Sequence, residues 1–418
     1  MEETTSAKVA PFFEQPQVQL YQIPVGKGLP LGIKRVSNTQ LGIGGAYGSW
    51  GESYDNDSLQ GVIEYRLGAP LSQEERMDLA SLGFLYRHHT PDLTPEEHLE
   101  AEVQVGAHFL REAASACGWE PGEVEAVLIG VSGPASPDYT ELIAKEAGIP
   151  ENALKVSVHK ACDGSVGALH LALNPELGSS WNMTRNLADE LRGKKVLVGG
   201  IEGLSRFINA SKDKNALQFF GNGAGVIGLI PGESMEFLVG KSHEVYDEEG
   251  VLAVHMYYPH SRKKSIDQSN IEISTTGDNF IRVAGLMHEP PDGKPIAMAG
   301  MMGIVKLFVR SGVHVVREVY GKYLELMERR GTPNKGIRVA IVHHANLKIN
   351  QLKAKHLHGE GIPLDMPWLL SEFGNVSAAS NMMAFLRQLP GLRPGDHVLI
   401  DGFGAGTYYD AMVVAFGA

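Results

Sequence analysis

Cysteine is almost absent from this chain, with only Cys117 and Cys162 among 418 residues. A disulfide-stapled scaffold is therefore excluded, as is a zinc site, which would want more soft ligands than two thiols supply. An excess of positive charge is also missing. The net charge of −12 argues against a general nucleic-acid binder, because phosphate contacts require concentrated Lys and Arg. No uninterrupted apolar run is long enough to span a bilayer. Met1-Glu-Glu-Thr-Thr-Ser6 has neither the basic nor the apolar region of a signal peptide, which predicts a cytoplasmic protein. What is present is a soluble globular composition, 43% hydrophobic and 21% charged, in a chain long enough for two domains or a duplicated one.

The two cysteines read differently. Cys117 ends the apolar stripe Leu99, Val103, Gly106, Leu110, Ala113 of a helix over 95–117, opened by a capping box at Thr94 and Glu97 with Pro95 at its first turn. It reads as a core residue. Cys162 instead lies in Val156-Ser-Val-His-Lys-Ala-Cys-Asp-Gly-Ser-Val-Gly-Ala-Leu169, where an apolar strand gives way to a helix of small residues. A thiol at such a junction faces unpaired backbone N–H groups and the positive end of the helix dipole, which predicts a lowered pKa and a nucleophilic thiolate. Asp163 beside it either opposes that effect or serves as a first-turn acid. The following helix has almost no polar face and should be buried.

Residues 1–41 read as an N-terminal extension with two strands among prolines, and a first core strand starts near Gln40–Gly45. Strands at 127–131, 195–202 and 220–229 surround the cysteine helix. In the second half a helix over 303–328 precedes a strand at 337–342, a helix around 376–387, and strands at 397–401 and 409–415. Each half reads as strand, helix, strand, strand, which suggests a duplicated α/β unit. The polar stretch 236–295 fits less well and reads equally as an excursion shaping an entrance or interface and as a surface meander. Arg87, Arg206, Lys348, Lys353 and Lys355 are candidates for a basic patch on which an anionic carrier docks, although each also reads as a solvated surface position.

Three more segments place polar groups where apolar strands end or helices open: His343-His344-Ala345-Asn346, Gly374-Asn375-Val-Ser-Ala-Ala-Ser380 and Gly402-Phe-Gly-Ala-Gly406. With the cysteine segment they resemble, in order and spacing, the thiolase-fold condensing enzymes, most closely β-ketoacyl-acyl carrier protein synthase III. That family carries Ala-Cys-x-Gly, His-x-Ala-Asn, Gly-Asn-x-Ser-Ala-Ala-Ser and a closing Phe-Gly-x-Gly loop. Glu202-Gly-Leu-Ser-Arg-Phe207 and Phe220-Gly-Asn-Gly-Ala224 are similar to the family's sequences on later strands. The likeness runs from about residue 42 to the C-terminus and leaves out the extension and much of 236–295. It also departs from the family at Met77 and Ser81, which stand where a Trp and an Arg clamp the adenine of coenzyme A; this argues against acetyl-coenzyme A as the primer.

The resemblance implies an α/β, thiolase-like fold of duplicated halves in five layers (αβαβα). The halves would span 42–232, carrying the nucleophile, and 233–418, carrying its partners and the insertion at about 236–295. It makes Cys162 the acyl-accepting nucleophile and His343 and Asn375 its partners, with His343 preferred over His344. It places an oxyanion hole on the backbone N–H groups of Cys162 and Ala405, and substrate contacts at Asn346, Phe403 and Gly404. Taken alone, Asn346 reads equally as a turn residue and Asn375 as a helix N-cap. The activity implied is Claisen condensation of acyl-coenzyme A or acyl carrier protein thioesters in lipid or fatty acid biosynthesis. No metal or resident cofactor is called for. Alternatives on the same fold are a transacylase or thioester hydrolase, a 3-hydroxy-3-methylglutaryl-coenzyme A synthase-like condensation using a glutamate that the sequence does not place, and a non-catalytic assembly subunit. Family members pair as homodimers through a strand near the nucleophile, here Leu154-Lys-Val-Ser-Val158.

Overall fold

A computed structural model of the chain describes residues 10–181, 183–244, 254–256, 271–285, 296–298, 301–404 and 408–417. Strands β1 (Gln19–Ile23), β2 (Leu29–Asn38) and β3 (Ile43–Trp50) open the chain, and β4 (Glu52–Asp55) pairs with β5 (Tyr86–His89). They are followed by β6 (Ala126–Gly130), β7 (Leu154–His159), β8 (Val196–Glu202) and β9 (Gly223–Leu229). The second half contributes β10 (Met235–Glu244), β11 (Val254–Met256), β12 (Ile271–Thr276), β13 (Phe280–Gly285) and β14 (Ile296–Met298). It ends with β15 (Val339–Val342), β16 (His397–Gly404) and β17 (Tyr408–Phe416). Among the described residues one sheet runs β1-β2-β3-β9-β8-β6-β7-β13-β12, and a second runs β10-β17-β16-β15. β6 to β9 are buried throughout, as expected of strands covered by helices on both faces.

Helices Gly164–Leu173 and Ser380–Gln388 lie between the two sheets and touch both. Pro95–Ala116 covers the outer face of the first sheet, and Met301–Arg329 that of the second, with Leu347–Gly359 packed upon it. The result is the five-layered thiolase-like arrangement. Every residue of helix 164–173 is buried, so each large side chain such as Leu169 contributes ~1.5–3 kcal/mol of apolar burial. Its closeness to β6 depends on glycine, since a Cβ on Gly130 would lie 2.2 Å from the Gly164 carbonyl carbon. At helix 95–116 both halves of the capping box form: Thr94 Oγ1 accepts from the Glu97 N–H, and Glu97 accepts from the Thr94 N–H. Among the described residues no helix is long and apolar enough to cross a membrane.

The extension and the insertion both join the first sheet. β1 and β2 prolong it beyond β3, while the hairpin β12–β13, from within 236–295, crosses from the second half and closes its other side. β13 lies parallel to β7, from Phe280 opposite Lys155 to Ala284 opposite His159. β7 is paired with β6 on its other side. The expected dimer strand Leu154–Val158 is therefore an interior strand with no free edge, which corrects that expectation. The remaining parts of the insertion, 245–253, 257–270 and 286–295, lie outside the described residues.

Candidate active site

β7 ends at His159, and the chain turns through Ala161 with φ +48° into a short 3-10 turn, Ala161–Asp163, that presents Cys162 at the head of helix 164–173. A left-handed alanine costs about 1–2 kcal/mol and is held only by surrounding structure. Ser377 repeats the device: φ is +45°, and the turn Ser377–Ala379 precedes helix 380–388. The two turns pack together, and the Ser377 hydroxyl donates to Cys162 Sγ at 3.1 Å. β16 closes the turn from the third side. A Cβ on Gly404 would lie 2.6 Å from the Lys160 carbonyl oxygen and 3.0 Å from the Cys162 nitrogen. We expect Gly404→Ala to displace the sulfur and slow Cys162 acylation by about 10²-fold, measured by single-turnover labelling with an acyl thioester.

The thiolate expected from the helix dipole is not what this setting favours. Burial pushes the Cys162 thiol up to about 12; the Ser377 hydrogen bond opposes the rise, and the negative charges of Glu202 and Asp163 add to it. Loss of water outweighs the dipole. Cys162 as a whole residue nevertheless keeps partial exposure. Cys117 is also part-buried rather than fully enclosed, its thiol donating to the Gly228 carbonyl at 3.4 Å.

His343 follows β15, with its N–H bonded to the Asp401 carbonyl on β16. Its ring meets the edge of Phe403 at 5.0 Å and 87°, so Phe403 orients the imidazole. Burial, with the charges of His344 and Lys353, pushes the His343 pKa down to about 3, leaving a neutral ring. His344 uses both nitrogens structurally: Nδ1 donates to Val342 O at 2.8 Å, and Nε2 accepts from the Leu369 N–H at 3.0 Å. Asn375 sits after Gly374, whose φ is +73°. Its Oδ1 accepts from the Ser377 N–H at 2.9 Å, and its Nδ2 lies 3.5 Å from Ala345 O. That fixes the amide face and leaves a second N–H to spare.

Cys162 and Asn375 are thus linked through Ser377, and His343 lies against Phe403, whose neighbour Gly404 closes the cysteine turn. Asn346 caps helix 347–359, its Oδ1 accepting from the Ile349 N–H at 2.9 Å. Ala405 lies outside the described residues.

Several groups escaped the sequence reading. Lys160 bonds Asp163 at 2.9 Å and also Asp410, which accepts from His170 Nδ1 at 2.6 Å; all four are buried. Burial opposes the Lys160 ammonium, but Asp163 and Asp410 overcome it and hold its pKa above the usual value. Burial likewise opposes the Asp410 carboxylate, but Lys160 and His170 hold its pKa below the usual range, whereas burial and the Asp410 charge push Asp163 well above it. The Asp163 and Lys160 side chains therefore form a plug under the cysteine turn. A second buried pair joins Lys353 to Asp401.

These pairs correct the basic patch. Arg87 and Lys353 are fully buried, and Arg206 is turned onto Glu102 at 3.1 Å; only Lys348 and Lys355 are exposed. Lys353 occupies the apolar stripe of Ile349 and Leu357, where Asp401 meets it. Glu202, at the inner end of β8, accepts from Ser132 Oγ at 2.5 Å, the Ser132 N–H at 2.8 Å and the Ala378 N–H at 3.1 Å. The Ser132 and Ser377 hydroxyls bond each other. A carboxylate closing an otherwise apolar strand was the signal available for Glu202.

Comparison with known proteins points to one family of condensing enzymes. Residues 327–416 match the family of the 3-oxoacyl-[acyl-carrier-protein] synthase III C-terminal region. A β-ketoacyl-[acyl-carrier-protein] synthase III of Roseiflexus castenholzii is 25% identical over 332 residues, covering 78% of this chain and 85% of the relative. One from Oleidesulfovibrio alaskensis is 28% identical over 334 residues, covering 76% and 87%. The crystal structure of 3-oxoacyl-[acyl-carrier-protein] synthase III from Aquifex aeolicus superimposes with a TM-score of 0.60 at 19% identity, over 87% of this chain and 96% of that one. The priming β-ketosynthase of the R1128 polyketide pathway gives 0.58 at 22% identity, over 90% and 95%. The chain is a thiolase-fold relative of the β-ketoacyl-acyl carrier protein synthases III.

Proposed function

We propose that this chain joins two acyl thioesters by Claisen condensation through an acyl group carried on Cys162, as an early carbon–carbon bond-forming step in fatty acid or related lipid synthesis. The observation that supports the reading is the Ser377 hydroxyl on the thiol of half-buried Cys162, with Asn375 held on the Ser377 N–H and the neutral His343 ring against Phe403, whose neighbour Gly404 closes the cysteine turn. Attack of Cys162 on an acyl-coenzyme A or acyl carrier protein thioester transfers the acyl group and releases the carrier thiol. Loss of carbon dioxide from a malonyl-type thioester then leaves an enolate, whose oxygen needs hydrogen-bond donors. Neutral His343 and the spare N–H of Asn375 are suited to supply them. The enolate carbon attacks the acyl carbonyl, Sγ leaves, and the 3-oxoacyl thioester departs.

No metal or bound organic cofactor is required by this sequence of steps. Two free thiols suit a reducing compartment such as the cytoplasm. A homodimer is retained from the resemblance with one change, since β7 cannot be its seam. The reading is tested by incubating the protein with acyl-coenzyme A and acyl carrier protein thioesters of graded length and mapping the adduct by mass spectrometry. We expect an acyl mass on the Cys162 peptide and, on adding a malonyl thioester, a 3-oxo product. No adduct at any length would overturn it.

A further inference from the structure

Cys162 heads a continuous internal chain of exchangeable protons. Its sulfur meets the Ser377 hydroxyl at 3.1 Å, Ser377 meets Ser132, and Ser132 meets Glu202 Oε1 at 2.5 Å. Ser132, Glu202 and Ser377 are buried. At rest the Ser377 hydroxyl donates to Sγ; rotating it toward Ser132 sets the line S–H to Ser377, Ser377 to Ser132 and Ser132 to the carboxylate, in which every donor has an acceptor. Resting on the assignment of Cys162 as nucleophile, we propose that Glu202 is the proton acceptor for the thiol, reached through Ser377 and Ser132.

As Sγ forms its bond to the acyl carbon, the donor's carbonyl–sulfur bond breaks, the carrier leaves as a thiolate that takes its proton from water, and the Cys162 proton passes to Ser377 Oγ. The Ser377 proton passes to Ser132 and the Ser132 proton to Glu202 Oε1, so one proton moves in sum and both serines end as hydroxyls. Return along the same line reprotonates the sulfur when the product leaves.

The setting gives the relay a purpose. Cys162 is held as a neutral thiol, and His343 is a donor with a strongly depressed basicity. Burial pushes Glu202 up to about 8, opposed by Ser132 and the Ala378 N–H and assisted by the charge of Glu102. A base in that range is matched to work near neutral pH. The other charges facing the relay are themselves engaged: Glu102 pairs with Arg206, and Asp163 with Lys160 next to Asp410 and His170. Glu202 touches no reacting atom in this scheme and is a positioning residue that holds the proton.

Alkylation of Cys162 by iodoacetamide, followed by mass spectrometry across pH 6 to 10, tests the relay without any acyl substrate. The wild type is expected to rise through a midpoint near about 8, as Glu202 loses its proton, and then level off. Glu202→Gln keeps an oxygen for the same donors, so the fold is expected to survive, as circular dichroism checks. It should lose the step, gain rate tenfold per pH unit as a simple thiol does, and be slower by about 10²-fold at pH 8. Ser132→Ala should behave alike, and Ser132→Thr should restore the step. A unit-slope profile in the wild type, or a Glu202→Gln profile that overlays or exceeds it, would overturn the relay. A normal step with no acyl adduct would instead count against the condensing function alone.

Discussion

Replacing His343 by Ala is expected to leave acyl transfer to Cys162 measurable while cutting carbon dioxide release from a malonyl thioester by about 10²–10³-fold, the usual effect of removing one donor to a developing oxyanion. The division follows from the ring's state. Burial keeps His343 neutral, with its pKa near 3, so it is poorly suited to take a proton from the thiol and well suited to donate one N–H. Phe403 fixes its plane. Because the ring does not titrate between pH 5 and 9, the decarboxylation step should be flat in pH over that range. Labelled carbon dioxide release and adduct mass, followed in parallel, check both parts. Equal loss of acylation and decarboxylation would assign His343 to the first step instead.

The second large effect concerns stability. Lys160→Met should destabilise the fold by roughly 3–5 kcal/mol, the cost of removing one partner from a buried ion pair. It leaves the buried Asp163 and Asp410 without their shared cation. The measurement is the denaturant midpoint relative to wild type. The pH sign follows from Asp410, whose folded pKa is depressed. Its contribution is present above the unfolded carboxylate value of about 4 and is lost as pH falls below it. The Asp410 share of wild-type stability should therefore fall as pH drops below about 4, whereas Asp163 and Glu202, whose folded pKa values are raised, act in the opposite direction at higher pH. An unchanged midpoint for Lys160→Met would mean that the cluster contributes nothing net.

Much of the frame was legible because buried strands and amphipathic helices write their periods into the chain. Val127–Gly130 and Lys195–Glu202 could hardly be anything but central strands, and Thr94-Pro95-Glu96-Glu97 encodes its own cap. The ordered motifs also singled out Cys162, His343 and Asn375. What was not legible depends on three-dimensional surroundings. The helix dipole is readable at Cys162, but the loss of water that outweighs it is not. Lys353 looks like a solvated lysine until Asp401 arrives from β16. The strand Ile271–Thr276, with Thr275 and Thr276 exposed, has too little apolar alternation to announce that it and β13 would be sheet strands. Glu202 and Ser377 were visible inside motifs, but nothing local linked them to one another.

The hairpin has a mechanical consequence. Its last rungs grip β7 up to His159, just ahead of the left-handed Ala161, and Gly285 abuts Tyr408, whose ring lies 5.7 Å from the Lys160 ammonium. A stretch that read equally as an entrance-shaping excursion and as a surface meander is thus a splint on the segment that aims the sulfur. Cutting it out would unzip the rail under the reacting atom and bare a raw strand to neighbouring molecules, so loss of chemistry and clumping should arrive together.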